Sequence, residues 1–197
     1  MLHVLLHGGP TDRPIVAVMA TVRLLLQGRP GVGKTTVARR LVHLLGDARL
    51  PVAGFTTEEI REGGQRVGFA VESVSGQRGV LAHVTRPGPP RVGKYGVDLS
   101  AFERIALPAL AAPPGAVIVI DELGKMELAS APFRDAVSGL LDRGALVVAT
   151  VHVFPHPFTD ALKRHPGVEL LEVTRDNRGA LPAQLATQIA SLASSRR

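Results

Sequence analysis

The chain contains no cysteine, no tryptophan, a single tyrosine and only four lysines. Without cysteine there is no disulfide, no thiolate metal site and no thiol nucleophile, a composition at home in a reducing cytoplasm. One Tyr and six Phe offer little aromatic surface for stacking successive bases. The 23 basic residues outnumber the 17 acidic ones, for a net charge of +6, but they form no block or stripe. The charge admits nucleic acid as a partner without favouring it.

A long hydrophobic run is also missing. The most apolar stretch, Ile105 to Ile120, is interrupted by Pro108, Pro113, Pro114 and Gly115, and is too short and broken to span a bilayer. Leu2–Leu6 has no basic segment ahead of it, and Asp12-Arg13-Pro14 interrupts the apolar run, so a secretory signal is not expected. Residues 1–18 read as a loose N-terminal extension, because Met19 directly precedes the first convincing strand. Residues 19–197 have the size of one α/β domain, expected to be monomeric and cytoplasmic.

Within that domain, short buried runs alternate with helical patterns. Val22–Leu26 reads as a buried parallel strand. From Lys34, Val37, Leu41, Leu44 and Leu45 share one helix face, with Gly46 as the expected stop. Pro51–Thr57 reads as a second strand. Between Thr56 and Val84, the turns Glu62-Gly63-Gly64-Gln65 and Ser75-Gly76-Gln77 separate short β-like runs, an antiparallel meander. Residues 85–97 read as a Pro- and Gly-rich loop. Ser100 with Glu103 reads as a capping box, opening a helix that Pro108 is positioned to kink. Val117–Ile120 is the strongest buried strand. Ser130 is placed to cap a helix carrying Phe133, Ala136, Val137, Leu140 and Leu141, which Gly144 ends. Ala145–Val151 reads as a strand, Thr159–His165 as a short helix, Val168–Val173 as a strand and Pro182–Ser194 as a last helix. This alternation predicts an α/β fold with a mostly parallel sheet between helical layers.

Gly28-Arg29-Pro30-Gly31-Val32-Gly33-Lys34-Thr35 fits the P-loop pattern G-x-x-x-x-G-K-[ST]. Its glycines let backbone N–H groups curl around phosphate oxygens at a helix start, where the dipole favours an anion. Lys34 supplies charge to the β- and γ-phosphates, and the Thr35 hydroxyl is a Mg²⁺ ligand. After Val117-Ile118-Val119-Ile120, Asp121 stands at the carboxyl end of a parallel strand, where open α/β sheets bind ligands. An acid there holds Mg²⁺. Glu122 beside it is suited to orient and deprotonate an attacking water. Three of the four lysines follow glycine, Lys34, Lys94 and Lys125. Lys125, or else Lys94, is a candidate to neutralise charge in the transition state. Thr150 and His152, at a strand end, could meet water or the γ-phosphate. Arg61 and Arg66 are better read as surface charge, and Asn177-Arg178 sits where a loop could touch a nucleobase.

With these motifs collected, the chain resembles the THEP-type nucleoside-triphosphatase family. The matching pieces are GRPGVGKTT (28–36), GFTTEEIREGGQRVGF (54–69), RVGKYGVDLSAFE (91–103), VIVIDELGKMEL (117–128), ATVH (149–152) and EVTRDNR (172–178). They span residues 22 to about 185. Thr56 stands where the family often has an aromatic, and residues 1–18 have no counterpart. The resemblance implies a P-loop, RecA-like three-layer core and hydrolysis of several nucleoside triphosphates to diphosphate and phosphate, with weak base preference. It also implies nucleotide contacts at residues 28–35 and at Val117, Ile118, Val119, Ile120, Asp121, Glu122, Leu123 and Gly124. No arginine finger is evident in cis, so turnover is expected to be slow. Two other readings stay open: a P-loop kinase for a nucleoside or small molecule, and a nucleic-acid-linked ATPase.

Overall fold

The computed structural model describes residues 22–194; the expected N-terminal extension lies outside the described residues. The elements are β1 (Arg23–Gly28), α1 (Lys34–Asp47), β2 (Val52–Glu62), β3 (Gln65–Ser73), β4 (Arg78–His83), β5 (Arg91–Val92), β6 (Tyr95–Val97), α2 (Leu99–Leu110), β7 (Val117–Leu123), α3 (Ala131–Asp142), β8 (Leu146–His152), α4 (Pro157–Lys163), β9 (Glu169–Glu172) and α5 (Leu181–Ser194). A 3₁₀ turn, Glu127–Ala129, lies between β7 and α3.

All nine strands form one sheet in the order β5-β6-β4-β3-β2-β7-β8-β1-β9. From β2 to β9 the pairings are parallel; from β2 outward through β3, β4, β6 and β5 they are antiparallel. β2 belongs to both halves, pairing with β7 over Val52–Phe55 and with β3 from Phe55 onward. At 11 residues it therefore runs five residues beyond the expected strand end at Thr57. At Gly54 (φ 104) a Cβ would collide with the Val119 carbonyl oxygen, so only glycine lets β2 lie this close to β7.

The buried strands obey a period of two, which is what places helices on both faces. Leu24, Leu26, Val117, Val119 and Val148 point to one core with Val37, Leu41 and Leu45 of α1 and Leu185 of α5. Leu25, Ile118, Ile120, Val147 and Ala149 point to the other, with α2 and α3. There Phe55, Phe102 and Phe133 meet with ring centroids 5.0–5.7 Å apart, within the range aromatic pairs favour. Among the described residues, no helix is long and apolar enough to cross a membrane.

Three local expectations need correction. Gly46 does not stop α1; the helix runs through Asp47 and the left-handed position falls on Arg49 (φ 57). Asp98, not Ser100, caps α2 by accepting from the Ala101 N–H at 2.9 Å. Glu103 instead accepts a 2.7 Å hydrogen bond from the Ser130 hydroxyl, and Pro108 is accommodated inside the last turn of α2. Residues 85–97 are not all loop, because Arg91–Val92 and Tyr95–Val97 form a hairpin that adds β6 to the edge at β4. Ser130 does cap α3, accepting from the Phe133 N–H at 3.1 Å, and Gly144 (φ 73) follows its end.

Candidate active site

β1 ends at Gly28 and α1 begins at Lys34, so the loop between them lies over the carboxyl edge of the sheet. Gly33, at the N-cap, has φ 110, a conformation open to glycine and costly for other residues. Lys34 is nearly buried. Its Nζ donates to the Gly28 carbonyl at 3.1 Å and lies 3.3 Å from Glu122 Oε2.

The end of β7 explains how an acid reaches that lysine. Ile120 pairs with Ala149 and Leu123 with Val151, so two residues of β7, Asp121 and Glu122, stand opposite the single Thr150 of β8. Such an irregularity re-aims side chains. Asp121 is fully buried, and its Oδ1 accepts from the Thr150 hydroxyl at 2.6 Å. Burial pushes its pKa up; the Thr150 and Thr35 hydroxyls oppose this, and the neighbouring Glu122 charge adds to it. Asp121 Oδ2 is buried with no hydrogen-bond partner. Glu122 remains partly exposed, toward Lys34.

The remaining side chains of the predicted strand segment go elsewhere. Val117, Ile118, Val119, Ile120 and Leu123 are packed in the two cores. They do not line the cleft; they carry Asp121 and Glu122 to its edge. The cleft itself has a volume of about 660 Å³. The P-loop side contributes Pro30, Gly31, Gly33, Lys34, Thr35 and Thr36, and the opposite side Glu122, Gly124, Lys125 and Glu127. Gly28, Arg29 and Val32 are outside its lining, with Gly28 contributing the carbonyl that holds Lys34.

Of the two candidate lysines, Lys125 is exposed on the cleft wall, whereas Lys94 sits over the Tyr95 ring at 5.4 Å and does not line the cleft. His152 lines the cleft, is 7% exposed and has neither ring nitrogen partnered. Burial, then the nearby Lys163 charge, lowers its pKa. Arg61 and Arg66 both pair with Glu59, and Arg66 also reaches the Tyr95 hydroxyl at 3.1 Å. Arg178 donates to the Val32 carbonyl at 3.1 Å.

Glu127 is a site residue that sequence reasoning missed. It is 5% exposed, and its Oε2 and Glu122 Oε1 both come within 3.1 Å of the point where a Cβ on Gly124 would stand. Burial, reinforced by the Glu122 charge, raises its pKa to about 8. The only local signal was an acid between Met126 and Leu128, in a segment whose 3₁₀ turn folds it back into the cleft.

Among the described residues there is no group of three or more His, Cys, Asp or Glu side chains arranged to hold a metal. Mg²⁺ does not require one, since it keeps several waters and uses one or two protein oxygens with substrate phosphates. The unpartnered Asp121 Oδ2 and the Thr35 hydroxyl beside it fit that demand.

Comparison with known proteins agrees with this arrangement. Residues 23–186 match a family model described as NTPase. The nucleoside-triphosphatase THEP1 of Thermotoga petrophila is 42% identical over 162 residues, covering 81% of this chain and 88% of that protein. The human cancer-related nucleoside-triphosphatase is 40% identical over 183 residues, covering 85% and 96%. The crystal structure of THEP1 from Aquifex aeolicus superposes with a TM-score of 0.77 at 35% identity, covering 85% of this chain and 98% of that one. For the solution structure of the human protein the TM-score is 0.74 at 40% identity, covering 86% and 97%. With a P-loop facing a carboxylate strand, and with relatives matched along most of their length, the chain belongs to the THEP1-type NTPase family and has its P-loop fold.

Proposed function

We propose that this protein hydrolyses Mg²⁺–nucleoside triphosphates, ATP, GTP, CTP, UTP and TTP alike, to nucleoside diphosphate and phosphate. The names of its relatives support the activity. The observation that carries the residue roles is the 3.3 Å approach of Glu122 to Lys34. An acid held at the phosphate-binding lysine is already where a γ-phosphate and its attacking water must meet.

The P-loop amides from Gly28 to Thr35 hold the phosphates, and Lys34 exchanges its carboxylate partner for phosphate oxygens. That exchange frees Glu122 to orient water in line with the leaving oxygen and to accept its proton. Thr35 and Asp121 would hold a divalent metal, which would supply positive charge to the phosphates. Thr150 fixes Asp121 through its 2.6 Å bond. Lys125, exposed on the wall of a cleft that Arg39 and Arg66 also line, is a cation available for transition-state charge. Without an arginine finger, turnover should sit near the unassisted range of roughly 10⁻⁴–10⁻² per second.

The experiment is phosphate release from the five triphosphates with and without EDTA. Release from all five, abolished by chelation, is expected. No release, or release indifferent to chelation, contradicts the reading.

A second reading has one observation behind it. The cleft continues beyond Lys34 over Phe69, Val92 and Met126, space that a phosphoryl acceptor would need. Labelled γ-phosphate passing to added ribonucleosides faster than free phosphate appears would favour a kinase.

A further inference from the structure

β1 has a different neighbour on each side. On one side lie β8 and β7, which bring His152, Asp121 and Glu122 to the P-loop; on the other lies β9. A triphosphate whose γ-phosphate faces Glu122 must carry its nucleoside away from β7, across the start of α1 toward the loop after β9. In open α/β sheets, ligands occupy this crevice beyond the strand carboxyl ends.

That loop is braced from within. Asn177 Nδ2 donates to the Glu172 carbonyl at 2.7 Å, and Asn177 Oδ1 accepts from the Thr174 N–H at 2.9 Å. The Asn177 carbonyl in turn accepts from the N–H of Leu181, the first residue of α5. These bonds aim Arg178 back at the P-loop, 146 residues away in sequence. Its guanidinium donates to the Val32 carbonyl at 3.1 Å, and its Cδ lies 3.1 Å from the point where a Cβ on Gly33 would stand. Glycine at 33 thus serves the phosphate loop and also leaves room for this arginine. Arg178 is exposed and has no carboxylate partner among the described residues. Its flat cation is held in place by one bond and a packed stem, with a face left to solvent.

We infer that the β9–α5 loop is the nucleoside subsite, with the Arg178 guanidinium stacked on the base of a nucleoside triphosphate. This rests on the phosphate placement proposed above. A planar cation attracts the face of any base, purine or pyrimidine, and reads no hydrogen-bonding edge. Such a contact supplies affinity without choosing among bases, and its loss should weaken all nucleotides in parallel.

The test compares Mg²⁺–nucleoside triphosphates with Mg²⁺–tripolyphosphate, which has the phosphates and no nucleoside. Calorimetric Kd values are measured for the full chain and for Arg178→Ala, Arg178→Lys and Lys34→Ala. Arg178→Ala should weaken ATP, GTP, CTP and UTP by about fivefold to tenfold and leave tripolyphosphate unchanged. Arg178→Lys, which keeps the charge and loses the flat face, should behave like the alanine variant. Equal weakening of tripolyphosphate would make Arg178 a brace or phosphate ligand and overturn the inference. So would unchanged nucleotide affinity, or full rescue by lysine. Failure of the phosphate placement would be seen separately, as undiminished tripolyphosphate binding by Lys34→Ala.

Discussion

The carboxylates around the P-loop and those of the meander are the same residue types in opposite surroundings. Asp121 and Glu127 are buried, and burial is the largest influence on each, pushing both pKa values up. Glu58 and Glu59, on β2, are partly exposed, and hydrogen bonds from Arg78 and Arg66 respectively are the largest influence, pulling both pKa values down. Near the P-loop, acids are held where charge is costly, and a bound metal cation would compensate it. In the meander, arginines already compensate Glu58 and Glu59, although both acids and Arg66 also line the cleft. Unfavourable electrostatics in the resting protein is thus concentrated where substrate is proposed to bind.

Substitutions should separate the two regions, in descending size of effect. Lys34→Ala should weaken Mg²⁺–ATP binding by about 100-fold, the scale of lost hydrogen bonds between charged groups. Calorimetry reads this directly, and an unchanged Kd would place the triphosphate elsewhere. Thr150→Val removes the donor to a buried carboxylate and should cost about 1–3 kcal/mol in urea unfolding. A neutral result would mean that water replaces the hydroxyl.

Glu127→Gln sharpens the contrast through pH. In the unfolded chain this acid ionises near 4.5, whereas in the fold it keeps its proton to about 8. The folded state therefore binds more protons between these values, and Glu127 makes stability fall as pH rises across that window. The glutamine variant lacks this slope, so unfolding free energies at pH 5 and pH 8 should favour it progressively toward pH 8. A difference that stays constant would show that Glu127 is ionised throughout. Glu58→Gln should be the mildest, at most about 1 kcal/mol and smaller in high salt. Its sign with pH is opposite, because a lowered pKa contributes stability above about 4.5 that disappears as pH falls through the folded value.

The parallel half was largely legible because its information is local. Val117–Ile120 is an unbroken aliphatic run, α3 keeps its apolar spacing, and the P-loop is contiguous. The meander's turns were equally plain in Gly63-Gly64 and Ser75-Gly76. What escaped was set by distant partners. β6 is only three residues long, and its pairing with β4 and β5 makes it a strand. The Ser100/Glu103 pattern failed because Ser130, 27 residues away, claims Glu103. In the site, the spacing of Lys34, Asp121 and Glu122 pointed to phosphate chemistry. Glu127 and the contact of Arg178 with the P-loop depend on a 3₁₀ turn and a braced loop that no motif spells out.

The central claim is that Glu122 readies water and does not hold nucleotide. Its most direct test is phosphate release and Kd for Mg²⁺–ATP measured together on Glu122→Gln. Release should fall by about 10²–10⁴-fold, the usual contribution of a general base, while Kd stays within about threefold. Release that persists at the parental rate, or falls only in step with lost affinity, would contradict it.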